Sequence, residues 1–175
     1  MSTGGGTSPV PADDGGATFE VLVVALGAAH GAAVRVAVAA SAVREVARVD
    51  RVTAYPGAPR DVPGVAAVRG QIVPVLDLAP AESDARPIVL LAVGTRALAL
   101  AGGVALRVAA AAYVTGPAAG EHSAPRLWSG RLLPVAGAVR LDDAARPDTA
   151  DGAVLPLLDA AALIHDVVDD SDGER

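Results

Sequence analysis

Apolar positions along the chain come in short runs, most of them closed by glycine, proline or aspartate. "FEVLVVALG", from Phe19 to Gly27, is almost unbroken and predicts a buried strand. "AAVRVAV" sets Val34, Val36 and Val38 against Arg35 and Ala37, the period of a half-buried strand. In "PIVLLAVGTRALALAGG" two apolar runs flank Gly94, Thr95 and Arg96, which predicts a hairpin. "GRLLPVAGAVRL" and "GAVLPLL" give further short strands. Pro74, Pro134 and Pro156 lie in or beside these runs, so they belong at edges, bulges or strand ends. Two stretches read as helical. "ASAVREVARV" is the clearest in the first half, and "LLDAAALIHDVV" predicts a closing helix.

The pattern also repeats. "VLVVALG" at Val21 resembles "IVLLAVG" at Ile88, and "IVPVLDLA" at Ile72 resembles "VLPLLDAA" at Val154. The order is kept within each pair, as a duplicated β-unit would produce. Many short strands with turn signals place the chain among barrels and sandwiches.

The 175 residues suit one domain or two small lobes, and 52% hydrophobic content supports a packed core. Residues 1–17 are rich in Gly, Ser, Pro and Asp and predict a flexible arm. Residues 18–165 form the expected folded domain, and 166–175 an acidic tail. The net charge of −6 gives no general attraction to phosphate backbones. Aromatic content of 2% argues against a base-stacking surface, so no nucleic-acid partner is expected. There is no cysteine, which excludes disulfides, thiolate metal sites and cysteine nucleophiles. The N-terminus lacks the basic start and apolar run of a signal peptide, and no apolar stretch free of Gly, Pro and charge has spanning length. A cytoplasmic protein without direct membrane insertion is the expectation.

Candidate chemistry is sparse. His30, His122 and His165 stand far apart and form no metal-ligand spacing. "ALGAAHGAA" places Gly27 and Gly31 after a strand, as a dinucleotide-binding turn does. That turn's last glycine is replaced by Ala33, and the valines that follow keep a strand period. A plain hairpin turn is the better reading, with a dinucleotide-binding enzyme lobe as the alternative. Asp142 and Asp143, and Asp166, Asp169, Asp170 and Asp172, read as solvated turn and tail carboxylates. No catalytic residue, cofactor or metal is assigned.

The span from Phe19 to Ala79 carries a resemblance. Its ordered elements are Val43, Glu45 and Val46 at an expected helix start; Pro56 and Pro59; Gly64 and Val65; Arg69 and Gly70; and "VPVLDL" with Asp77 and Leu78. Order and spacing resemble the CheW family, the adaptors of bacterial chemotaxis, and the second half is similar more loosely. The resemblance implies a mainly β fold of two intertwined, SH3-like, five-stranded barrels with one or two short helices. It implies a non-enzymatic adaptor joining a chemoreceptor's cytoplasmic tip to a CheA-like histidine kinase. It also implies protein contacts at Val43, Glu45, Gly64, Val65, Arg69 and Gly70. The chain departs from the family pattern at Ala67 and Val68, before the Arg-Gly pair, and at Gly102 and Gly103, where an aspartate is common. A CheW-like modulator with altered partners is the corresponding alternative.

Arg69 is expected either to contact a partner or to brace carbonyls between the barrels. Glu45, on an exposed helix start, is expected to carry little structural weight. Asp77 is expected to bond local backbone where its strand ends.

Overall fold

A computed structural model describes residues 17–26, 34–79, 85–114, 124–142 and 153–168. Among the described residues, eleven strands and one α-helix fall in two lobes. The first is a closed barrel of β1 (Thr18–Leu26), β2 (Val34–Ala39), β11 (Val154–Leu158), β10 (Val135–Asp142) and β9 (Val104–Tyr113), in that order. The second is a six-stranded sheet in the order β3 (Val43–Val49), β7 (Arg86–Val93), β8 (Arg96–Ala101), β6 (Gln71–Asp77), β5 (Gly64–Val68) and β4 (Thr53–Ala54). The chain builds two strands of the first lobe, all of the second, then returns to finish the first. The lobes are intertwined as expected, with the two-residue β4 added to the second.

Three apolar clusters explain why the central strands read as continuous runs. Val21 and Val23 of β1 point into the barrel with Ala37, Val139 and Leu157. The alternate residues Leu22, Val24 and Leu26 point into a core between the lobes. β7 does the same, with Ile88 and Leu90 inside the second lobe and Val89 and Leu91 between the lobes. A strand covered on both faces has no solvent side, so its polar alternation disappears.

The sequence repeat is a structural repeat. β1 and β2 are antiparallel, and β2 meets β11 in parallel; β7 and β8 are antiparallel, and β8 meets β6 in parallel. The register shift between Val23 and Val24 of β1 recurs on the strand opposite β7, between Val43 and Glu45. Even a connector bond is repeated: the Asp77 N–H donates to the Asp61 carbonyl at 2.7 Å, and the Asp159 N–H to the Pro134 carbonyl at 2.9 Å. Pro74 and Pro156 hold matching places, opposite Val65 and Ala138. In each case the parallel partner is first met one residue later, so no ladder bond needs the missing N–H.

The closing helix, α1 (Ala160–Val168), forms as the pattern predicts. The Asp159 carboxylate accepts from the Ala162 N–H at 2.9 Å and caps it. Ala160, Leu163, Ile164 and Val167 form its buried stripe against the inter-lobe core. It runs to Val168, past Asp166, where the acidic tail was expected to begin.

The other helix does not form. Only Ala40–Ala42 makes a single 3₁₀ turn, and Val43–Val49 is strand β3. Valines at 43, 46 and 49 fit a helical spacing, but Glu45, Ala47 and Val49 face inward while Arg44, Val46 and Arg48 face out. Pairing with β7 decides between the two periods, and β-branched valine favours the sheet.

Candidate interaction site

The lobes differ where a barrel must close. In the first, β9 and β10 pair from Tyr113–Val139 to Ala110–Asp142. Their counterparts in the second, β3 and β5, share no ladder, and side chains span the seam instead. The β5–β6 turn is a two-residue hairpin between Val68 and Gln71, with Arg69 at φ 46° and Gly70 at φ 78°. Both central residues are left-handed, as a type I′ turn requires. This throws Arg69 toward β3, where its Nε donates to Glu45 Oε2 at 2.5 Å. Beside it, Arg44 Nη1 donates to Gln71 Oε1 at 2.9 Å.

The ion pair is lopsided. The Arg69 side chain is 79% exposed and that of Glu45 only 16%. Glu45 Oε1 is buried and has no hydrogen-bond partner among the described residues. Arg69 therefore holds an inward carboxylate while most of its guanidinium stays in water. The next residues on the two strands, Val46 and Ile72, are 53% and 68% exposed. Exposed branched side chains around a charged fork suit a protein contact: apolar area supplies binding and the fork fixes orientation.

The structure brings together three of the six expected contact residues: Glu45, Arg69 and Gly70. Gly64 and Val65 lie at the other end of β5 and line a cleft of about 700 Å³ with Tyr55, Pro59, Arg131 and Val167. Val43 is partly buried against the inter-lobe core. Two expectations change here. Glu45 is on a strand, and its carboxylate helps tie the seam. Arg69 bonds Glu45 within the second lobe and does not brace carbonyls between the lobes.

Sequence reasoning missed a buried polar cluster at the other end of β6. Asp61 and Asp77 are each 3% exposed. The Asp77 carboxylate does not bond local backbone; it accepts from Arg86 Nη1 in a buried ion pair. Burial pushes the Asp77 carboxyl above its ordinary value, opposed by the Arg86 bond and charge and aided by nearby Asp61. Asp61 accepts from Arg131 Nε at 2.5 Å and from Ser129 Oγ at 3.1 Å. Trp128 Nε1 donates to the Asp77 carbonyl at 3.1 Å. The partners lie up to 70 positions apart, so no local motif announces them.

Among the described residues, no group of three or more His, Cys, Asp or Glu side chains could hold a metal ion. No described helix is long and apolar enough to cross a membrane. Asp166 is exposed on α1. Gly27, His30, Gly31, Ala33, His122, Asp143, Asp169, Asp170 and Asp172 lie outside the described residues, as does the expected N-terminal arm up to residue 16.

Comparison with known proteins bears on the fold and the family. No curated protein matches the sequence. The crystal structure of the scaffolding protein TtCheW from Thermoanaerobacter tengcongensis superposes with a TM-score of 0.52 at 16% identity, covering 81% of this chain and 84% of that one. At that identity the likeness establishes the fold. A family profile, the CheW-like domain, matches residues 20–168. With the profile spanning both lobes and the closing helix, the chain belongs to the CheW-like domain family.

Proposed function

We propose that this chain is a non-enzymatic adaptor coupling the cytoplasmic tip of a chemoreceptor to a CheA-like histidine kinase. The observation that carries the reading is the Glu45–Arg69 pair on the open seam, flanked by exposed Val46 and Ile72. A scaffold needs exposed apolar area with a few fixed polar groups, and this face supplies both. Membership of the family supports the class of function. Gly64, Val65 and Val43 extend the contact region toward the cleft and the inter-lobe core. The setting is the cytoplasm, and the work needs no cofactor and no nucleic acid.

Binding to the regulatory domain of the kinase and to a receptor-tip fragment, measured by calorimetry with the full chain, tests the proposal. Arg69→Ala should weaken at least one of these complexes by roughly thirtyfold, the scale for a desolvated charged group. Absence of binding to either fragment by the wild-type chain overturns the adaptor reading. Binding that Arg69→Ala leaves intact moves the contact off the seam and favours a modulator with altered partners. A specific observation also favours that second reading. Where the family commonly has aspartate, a Cβ on Gly102 would lie 3.0 Å from the Ala79 nitrogen, and one on Gly103 would lie 2.9 Å from Leu78 Cδ1. The chain packs too closely there to take a larger side chain without a shift of its neighbours.

A further inference from the structure

The described part of the connector between β9 and β10, residues 124–134, does not stay with its own lobe. Its residues 126–132 make a small hairpin held by one bridge, Arg126 to Leu132. The Leu127 N–H donates to the Arg131 carbonyl at 2.8 Å, the Gly130 N–H to the Leu127 carbonyl at 2.9 Å, and the Leu133 N–H to the Pro125 carbonyl at 2.8 Å. So short a hairpin has little stability of its own, and its shape depends on where it is seated. Leu127 and Leu133 belong to the inter-lobe core with Val62, Leu76 and Leu78, and Trp128 packs against that cluster. Among the described residues, every side-chain bond from its tip to the second lobe ends on one of two residues. Arg131 and Ser129 reach the Asp61 carboxylate, and Trp128 reaches the Asp77 carbonyl.

The repeat gives this seat a further property. Asp61 lies in the connector between β3 and β5, the counterpart of the connector that carries Arg131. The two equivalent connectors of the duplicated unit thus meet each other, one presenting an anion and the other a cation. Arg131 and Val62 are also walls of the cleft that Tyr55, Pro59 and Val65 line.

We propose that the 126–132 hairpin is a latch: it releases from Asp61 and Asp77 as a unit while both lobes remain folded, and its release widens the cleft. Segments fastened by few groups open at lower free energy than the strands around them. Here the fastenings are one ion pair, one hydroxyl bond, one indole bond and the packing of Leu127 and Trp128 on the inter-lobe core. The proposal stands apart from the identity of any partner, because the latch is internal to the chain.

Trp128 is the only tryptophan, so its fluorescence reports the latch alone. In the full chain, native-state hydrogen exchange should show the Leu127, Gly130 and Leu133 amides opening more readily than β7 and β8, with a smaller denaturant dependence. Arg131→Gln and Asp61→Asn should speed exchange of those three amides by about tenfold or more, the scale of a lost bond to a charged group, and leave β7 and β8 unchanged. Acrylamide quenching of Trp128 should rise at urea concentrations where far-UV circular dichroism is still native. Ser129→Ala removes only a hydroxyl and should shift the same readouts in the same direction, which covers a charge variant that fails to fold. Exchange of the three amides at the rate and denaturant dependence of β7 and β8 would overturn the latch. Coincident tryptophan and circular-dichroism transitions in wild type and Ser129→Ala would do the same.

Discussion

The two lobes are one strand plan used twice, and matching positions show how differently the same backbone place can be filled. Gly64 of β5 sits opposite Val75, and Gly137 of β10 opposite Leu157, with φ of 159° and 155°. A Cβ on Gly64 would lie 1.9 Å from the Thr53 carbonyl oxygen of β4, whereas one on Gly137 meets nothing within 4 Å. Asp77 ends β6 and Asp159 follows the matching β11, but Asp77 is buried against Arg86 and Asp159 caps a helix. Opposite Leu90 and Val23 stand Glu45 and Arg107, and counting along β5 and β10 from the matched glycines brings Arg69 level with Asp142. The acidic and basic residues have exchanged places between copies. Register and inward apolar positions are common to both lobes because both must bury a sheet face; polar positions diverged because each contact is particular to its lobe.

The largest effect expected from this comparison is at the buried aspartate. Arg86→Leu leaves the Asp77 carboxylate buried without its donor and should cost about 3–5 kcal/mol at neutral pH, measured by urea unfolding. The pH dependence has a definite sign. The Asp77 carboxyl titrates above its ordinary value of 3.8 in the folded chain, so the folded state holds that proton more tightly than the unfolded state. The group's contribution is complete below about that pH and is lost as pH rises through the folded value. Removing Arg86 enlarges the effect, so the deficit of Arg86→Leu should shrink as pH is lowered into the carboxylate range. A deficit that stays constant with pH would mean the ion pair does not dominate this site.

The paired glycines come next. Gly64→Ala drives a Cβ into the backbone of β4 and should cost about 3 kcal/mol, at the upper end for overpacking. Gly137→Ala meets open space and should cost about 1 kcal/mol, the backbone strain alone. Equal losses would show that β4 gives way freely.

A smaller loss is expected at the counterpart of Asp77. Asp159→Ala removes a helix cap and should cost about 1 kcal/mol, well below the loss at Arg86. The smallest stability effect belongs to the seam. Arg69→Ala breaks a pair whose arginine is mostly in water, so the urea midpoint should move by less than about 1 kcal/mol equivalent. A loss as large as that of Arg86→Leu would make the seam pair a structural tie comparable to a closing ladder.

Much of this was written in the one-dimensional pattern. The β class, the closing helix, the Gly94–Thr95 turn between β7 and β8 and the twofold repeat follow from periodicities that a sheet or helix imposes locally. At the β5–β6 turn Gly70 suits φ > 0, but nothing in an arginine announces the left-handed Arg69, and the structure supplied that half. Tertiary structure decided the rest. Val43–Val49 fits two periods, and only the availability of β7 as a partner made it a strand. Glu45 and Arg69 stand 24 residues apart, Asp61 and Arg131 stand 70 apart, and neither pair leaves a trace in its neighbours along the chain. An amphipathic period is set by the backbone every few residues. An ion pair is set by which strands the fold lays side by side, and that information exists only once the chain has folded.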